Sequence, residues 1–128
     1  MTWQLHPDRP AYGARLCAIV DVPDGGGFEV AFGASKENFK ILLLRQEARV
    51  WGYLNVCPHF SLPLNYEPQH FISSEGLIMC AHHTAFFKFD SGDCVDGPCA
   101  GSGLTSLPTY CHEGEVFFGS RNQGIETT

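Results

Sequence analysis

Cys57 and His59 in the run Cys57-Pro58-His59, and Cys80 and His83 in Cys80-Ala81-His82-His83, are the residues of this chain best suited to hold metal. Twenty residues separate His59 from Cys80. Two thiolates and two imidazoles in this mixed order match the donor set of a [2Fe-2S] cluster with both Cys on one iron and both His on the other. Two ferric ions, two sulfides and two thiolates sum formally to zero with neutral imidazoles, whereas four thiolates would leave a net negative centre. An electron adds more easily to the neutral centre, so the expected chemistry is one-electron transfer through one cluster per chain. The same four donors also suit tetrahedral zinc, which makes a zinc-stabilised interaction module the competing reading from another functional class. Zinc motifs, however, usually pair like ligands at short spacing.

The segments that must position these residues read as short strands. Arg15 to Val22 and Phe28 to Phe32 flank Pro23-Asp24-Gly25-Gly26-Gly27, a pattern that predicts a hairpin. Phe39 to Arg45 and Arg49 to Val56 predict a second hairpin across Gln46-Glu47-Ala48, and its second strand runs straight into Cys57. Gly76 to Met79 is a short buried-type strand that feeds Cys80. Ala85 to Phe89, the turn Asp90-Ser91-Gly92-Asp93, and Tyr110 to Phe118 with its bend at Glu113-Gly114 continue the pattern. Pro58, Pro63 and Pro68 break regular structure after the first ligand pair, and Ser35 to Asn38 is the only helical hint. The fold class expected is all-β.

Composition narrows the function. At 128 residues the chain has the length of a single domain, and it is large enough to bury a core without disulfides. A net charge of -6 with only eight Lys and Arg argues against nucleic acid as a partner and favours partners with basic docking surfaces. No run approaches a membrane span, and the first residues lack the basic start and apolar stretch of a signal peptide, so the reading is a cytoplasmic protein without a membrane partner. Six cysteines without an export signal point to a metal site rather than a disulfide framework.

The sequence resembles the Rieske ferredoxin family, whose motif is CxH followed by CxxH. Asn55 to His59 and Pro63-Leu64 resemble that family's first ligand loop. Gly97-Pro98-Cys99-Ala100-Gly101-Ser102-Gly103-Leu104, with Leu107-Pro108, resembles the proline-bearing segment covering the cluster. The likeness runs from Trp51 to Pro108. It implies antiparallel sheets with a cluster-binding subdomain, about residues 51–108, inserted in a larger β base, the whole of 1–128 being one domain. The spacing from His59 to Cys80 is longer than the family's usual one, which places extra chain in Asn65 to Gly76.

The resemblance also implies the ligands Cys57, His59, Cys80 and His83, with His82 as a neighbour of the second His. It further implies an electron carrier rather than an enzyme, placed between a flavoprotein reductase and an oxygenase or similar acceptor. A small subunit of a nitrite-reductase-type enzyme is the alternative within the family. High-potential members carry an extra Cys in each ligand loop and hydroxyl donors at the positions of Ala85 and Phe87. Their absence here implies no loop disulfide and a low midpoint, about -150 to 0 mV. Phe60, Leu62, Pro63, Leu64, His82 and Pro98 would then form an apolar collar around the exposed His edge.

The remaining candidates carry less. Cys94 and Cys99 have the spacing of two plant-type ferredoxin ligands, but the next one needed is Ser102. A bridge between Cys94 and Cys99 stays open at this stage. Cys17 and Cys111 lie in strand-like runs, where a thiol serves as a small hydrophobe. His6, His70 and His112 have no metal-binding spacing, and the chain is too short for a separate catalytic iron domain.

Overall fold

The computed structural model describes residues 3–34, 38–56, 64–65, 71–74, 76–80, 85–96 and 103–120. Its strands are β1 (Arg15–Ala18), β2 (Gly27–Phe32), β3 (Phe39–Gln46), β4 (Arg49–Leu54), β5 (Ile72–Ser74), β6 (Leu77–Met79), β7 (Phe86–Lys88), β8 (Cys94–Asp96), β9 (Ser106–Leu107), β10 (Thr109–His112) and β11 (Glu115–Phe118). They form three antiparallel sheets in the orders β1-β11-β10, β2-β3-β4-β9 and β5-β6-β7-β8. Helix among the described residues is limited to single 3-10 turns at Trp3–Leu5 and Ile19–Asp21.

β3 explains the layering. Its run Ile41 to Leu44 is fully buried at every position, because both faces of its sheet are covered. Side chains alternate along a strand, so Leu42 and Leu44, with Tyr53 of β4, enter a core shared with Ile78, Phe87 and Phe89 of the β5–β8 layer. Ile41 and Leu43 enter a second core with Leu16, Val116 and Phe118 of the β1-β11-β10 layer. The β2-β3-β4-β9 sheet is therefore the middle of three layers.

One expected hairpin is absent. β1 pairs with β11, and β2 pairs with β3, so the two runs flanking the glycines do not meet. β1 stops at Ala18, whose N–H donates to Asp21 Oδ2 at 3.1 Å and starts the 3-10 turn. Val22 is then fully buried, and its carbonyl accepts from Arg45 Nη1 at 3.0 Å. The glycines fasten to the middle sheet instead, Gly25 N–H donating to Arg45 O at 2.8 Å. They carry the chain from one layer to another, and an apolar run by itself does not reveal which strand it will meet.

The other two hairpins form as expected. Gln46 pairs with Arg49, leaving a two-residue turn in which Glu47 has φ 57°. β10 and β11 meet across Glu113 (φ 51°) and Gly114 (φ 78°), the two positive angles of a type I′ turn. β5 lies in the extra chain between Asn65 and Gly76 and pairs with β6, which the sequence reading did not foresee. The turn expected at Ser35 to Asn38 falls on residues 35–37, outside the described residues, as do Pro58, Pro63 and Pro68.

Candidate metal centre

Of the four predicted ligands, Cys80 is described, whereas Cys57, His59 and His83 lie outside the described residues. The elements that deliver them are in place. β4 ends at Leu54, three residues before Cys57, and β6 ends at Met79, directly before Cys80. β7 begins at Phe86, and Cys80 N–H donates to Ala85 O at 2.9 Å, so the chain leaving β6 is drawn together at its base before returning.

Cys80 is completely buried, in one apolar core with Leu64, Ile78, Ala85 and Phe87. An unbalanced thiolate there would carry a heavy desolvation cost, whereas a sulfur bound to metal is neutralised by it. This donor, dry and fixed at a strand end, fits a sulfur ligand of an inorganic cluster. Ala85 and Phe87 are also fully buried, so these two positions line the same core with carbon only.

The first ligand segment is bounded by a polar network within this apolar setting. Asn55 is fully buried, and its N–H donates to Lys40 O at 2.9 Å. Its Oδ1 accepts from Leu64 N–H at 3.0 Å. Its Nδ2 donates to Asn65 Oδ1 and to Glu29 Oε2, both at 2.8 Å. The residues before Cys57 and those after Pro63 are thus bound to one another. Leu64, a collar candidate that loop packing suited equally, is fully buried: its N–H is held by Asn55 and its side chain joins the core. Phe60, Leu62, Pro63, His82 and Pro98 fall outside the described residues.

Sequence reasoning passed over Asn55 and Tyr53 as site-supporting residues. The signal available was a lone amide at the end of an apolar strand, but its partners are distant in sequence. Tyr53 is buried and donates from Oη to Phe89 O at 2.6 Å.

Cys17 and Cys111 stand apart from Cys80. Cys17 and Cys111 both lie opposite Val116, one on each side of β11, and both pack on the second core. Burial, with Asp21 adding to it, pushes the Cys17 thiol up to about 11, and burial raises Cys111 as well. Both stay protonated at neutral pH and behave as small hydrophobes. Cys94 is buried in the same core as Cys80, while Cys99, its suggested bridging partner, is outside the described residues. His6 Nδ1 accepts from Asp8 N–H at 3.0 Å and His112 lies 3.8 Å from Glu113, while His70 is not among the described residues. No three His, Cys, Asp or Glu side chains among the described residues form a metal-binding group.

These features define a three-layer antiparallel β-domain with a buried cysteine where strand ends converge. The Rieske [2Fe-2S] domain family matches residues 14–111, and the chain belongs to that family. Such a domain carries one [2Fe-2S] cluster, so the cofactor expected from the sequence holds and the zinc reading falls.

The ferredoxin component of the alkene monooxygenase system of Xanthobacter autotrophicus is 27% identical over 82% of this chain and 79% of its own length. Apoptosis-inducing factor 3 of human and mouse is 30% identical over 76% of the chain, which spans only 14% of those proteins. The fold is also that of the solved ferredoxin of carbazole 1,9a-dioxygenase from Nocardioides aromaticivorans. That match has a TM-score of 0.65 at 17% identity and covers 87% of this chain and all of the other.

Proposed function

We propose that this chain is a Rieske ferredoxin, a one-electron carrier that takes its electron from a flavoprotein reductase and delivers it to an oxygenase. The observation that carries this reading is the family match over residues 14–111, joined to a Cys80 that is wholly buried at the end of β6. The relative in the alkene monooxygenase system supports the ferredoxin role, since this chain covers most of that component's length. Electron transfer, rather than turnover of an organic substrate, is what the cluster supplies.

In this reading Cys57 and Cys80 hold one iron, and His59 and His83 the other. Residues 1–128 act as one domain, with the cluster-binding part at about 51–108. The chain's own contribution is to keep the sulfur of Cys80 dry and to hold the ends of the first ligand segment through Asn55. The net charge of -6 favours reductase and oxygenase surfaces that are basic, which steers a short-lived encounter. No helix among the described residues is long and apolar enough to cross a membrane, and we place the carrier in the cytoplasm.

Absorption and EPR spectra of the purified, reduced protein test the proposal. A rhombic signal with a low average g supports it; a colourless protein containing zinc overturns it. His83→Ala should abolish the spectrum while His82→Ala retains it, and the opposite pattern would reverse that ligand assignment.

A further inference from the structure

We infer that Asn55 is a positioning residue for the first ligand segment, a clamp that ties the residue entering that segment to Leu64 and Asn65, where the chain leaves it, before the cluster binds. This inference rests on the ligand assignment proposed above.

Three observations carry it. Asn55 is fully buried at the edge of an apolar core, where an amide is destabilising unless each polar atom is bonded. Each is bonded, with Nδ2 donating twice and Oδ1 accepting once. Secondly, the bonds go where ligand placement needs them. Asn55 stands two residues before Cys57, and its side chain binds Leu64 N–H and Asn65 Oδ1 on the far side of the same segment. One side chain therefore fixes both ends of the stretch bearing Cys57 and His59.

Thirdly, the remaining bond runs to Glu29 on β2, a strand separated from β4 by β3. Glu29 pairs with Leu42, which pairs with Tyr53, so Glu29 and Tyr53 share the sheet face that looks towards the β5–β8 layer. Asn55 continues that face two residues beyond Tyr53. The Glu29 carboxylate thus ties Asn55, and through it Leu64 and Asn65, to the middle sheet. Partners outside the ligand set that fix ligand orientation typically change metal affinity about 10–100-fold when lost.

The test exploits the direction of these bonds. Asn55→Asp keeps the acceptor for Leu64 N–H and can accept from the Asn65 amide once that amide turns its Nδ2 inward, but it sets a carboxylate against Glu29. Combining Glu29→Gln with Asn55→Asp turns the contact round, so that the new amide on β2 donates to the new carboxylate beyond β4. Cluster loss to a ferrous chelator under reducing conditions is followed in wild type, N55D, E29Q and the double variant. Amide hydrogen exchange at Leu64 is measured after the metal is removed, in the same proteins and in Asn55→Ala.

The clamp predicts loss about tenfold faster in N55D, with recovery in the double variant to the rate of E29Q. It also predicts faster Leu64 exchange in metal-free Asn55→Ala than in metal-free wild type. A wild-type rate in N55D overturns the proposal, and so does a double variant as leaky as N55D. Should wild type bind no cluster at all, the ligand reading fails by itself. Leu64 exchange then still decides the clamp, unchanged protection in N55A overturning it.

Discussion

The phenol of Tyr53 on β4 donates to the carbonyl of Phe89, just beyond β7, at 2.6 Å, and this bond joins the middle sheet to the layer that bears Cys80. Both residues are buried, so neither atom has water as an alternative. Tyr53→Phe removes the donor and strands the carbonyl in an apolar core. The expected destabilisation is about 1–3 kcal/mol, read as a lower urea midpoint with an unchanged slope.

The same phenol makes stability sensitive to alkali. Burial, reinforced by the charges of Asp90 and Asp93, pushes Tyr53 up to about 12 from an ordinary 10. A raised value means that the folded state resists ionisation which the unfolded chain accepts. Its stabilising contribution is complete below pH 10 and is lost progressively as pH rises towards 12. Urea titrations between pH 9 and 11 should therefore show wild type weakening faster than Tyr53→Phe, with the gap between them narrowing as pH rises; parallel curves would remove Tyr53 as the cause.

Gly92 lies against the Tyr53 ring. A Cβ placed there would come within 2.7 Å of Tyr53 Cε1, and the backbone has φ 75°. Gly25 has a similar φ of 79° with nothing within 4 Å of a Cβ. Gly25→Ala should therefore cost only the backbone term, about 1–2 kcal/mol, and Gly92→Ala measurably more. Thermal melts of both variants check the difference, and equal losses would show that the ring gives way freely.

What the sequence disclosed follows from which interactions are local. The β3–β4 and β10–β11 hairpins were legible because their turns and strands are contiguous, and Cys80 stands out as a proposed ligand because metal ligands need particular residue types. The pairing of β1 with β11 was hidden, since its partner lies about a hundred residues along the chain and Arg15 to Val22 looks apolar with either neighbour. β5 was hidden because three residues, Ile72 to Ser74, carry too little alternation to register. For Leu64 the sequence left collar and loop packing equally open, because proximity to a ligand motif does not show which way the backbone is pulled. Here the pull comes from Asn55.

Phe87 tests the expected low potential. It is fully buried in one core with Ala85 and Cys80, at a position where high-potential members of the family carry a hydroxyl donor that this chain lacks. A donor to sulfur stabilises the added electron, so Phe87→Tyr should raise the midpoint measured by voltammetry. Phe87→Leu alters packing without adding a donor and serves as the control. A hydroxyl that finds no acceptor would instead cost about 1–3 kcal/mol of stability and leave the midpoint at the control value.

Leu42 and Leu43 are neighbours on β3, both fully buried, yet they serve different cores. Leu42 shares its core with Cys80, and Leu43 meets Val116 and Phe118 on the other side of the sheet. Truncation of either to Ala removes similar buried volume, so each should cost about 2–5 kcal/mol in denaturant unfolding. Their effects on the cluster should part. Leu42→Ala loosens the packing around the Cys80 sulfur and admits water, so iron loss to a chelator should accelerate under conditions where the protein remains folded. Leu43→Ala leaves that layer intact, and at matched fraction folded its iron loss should follow wild type. If both variants release iron in proportion to their lost stability alone, the two cores behave as one cooperative unit and Leu42 has no separate hold on the site.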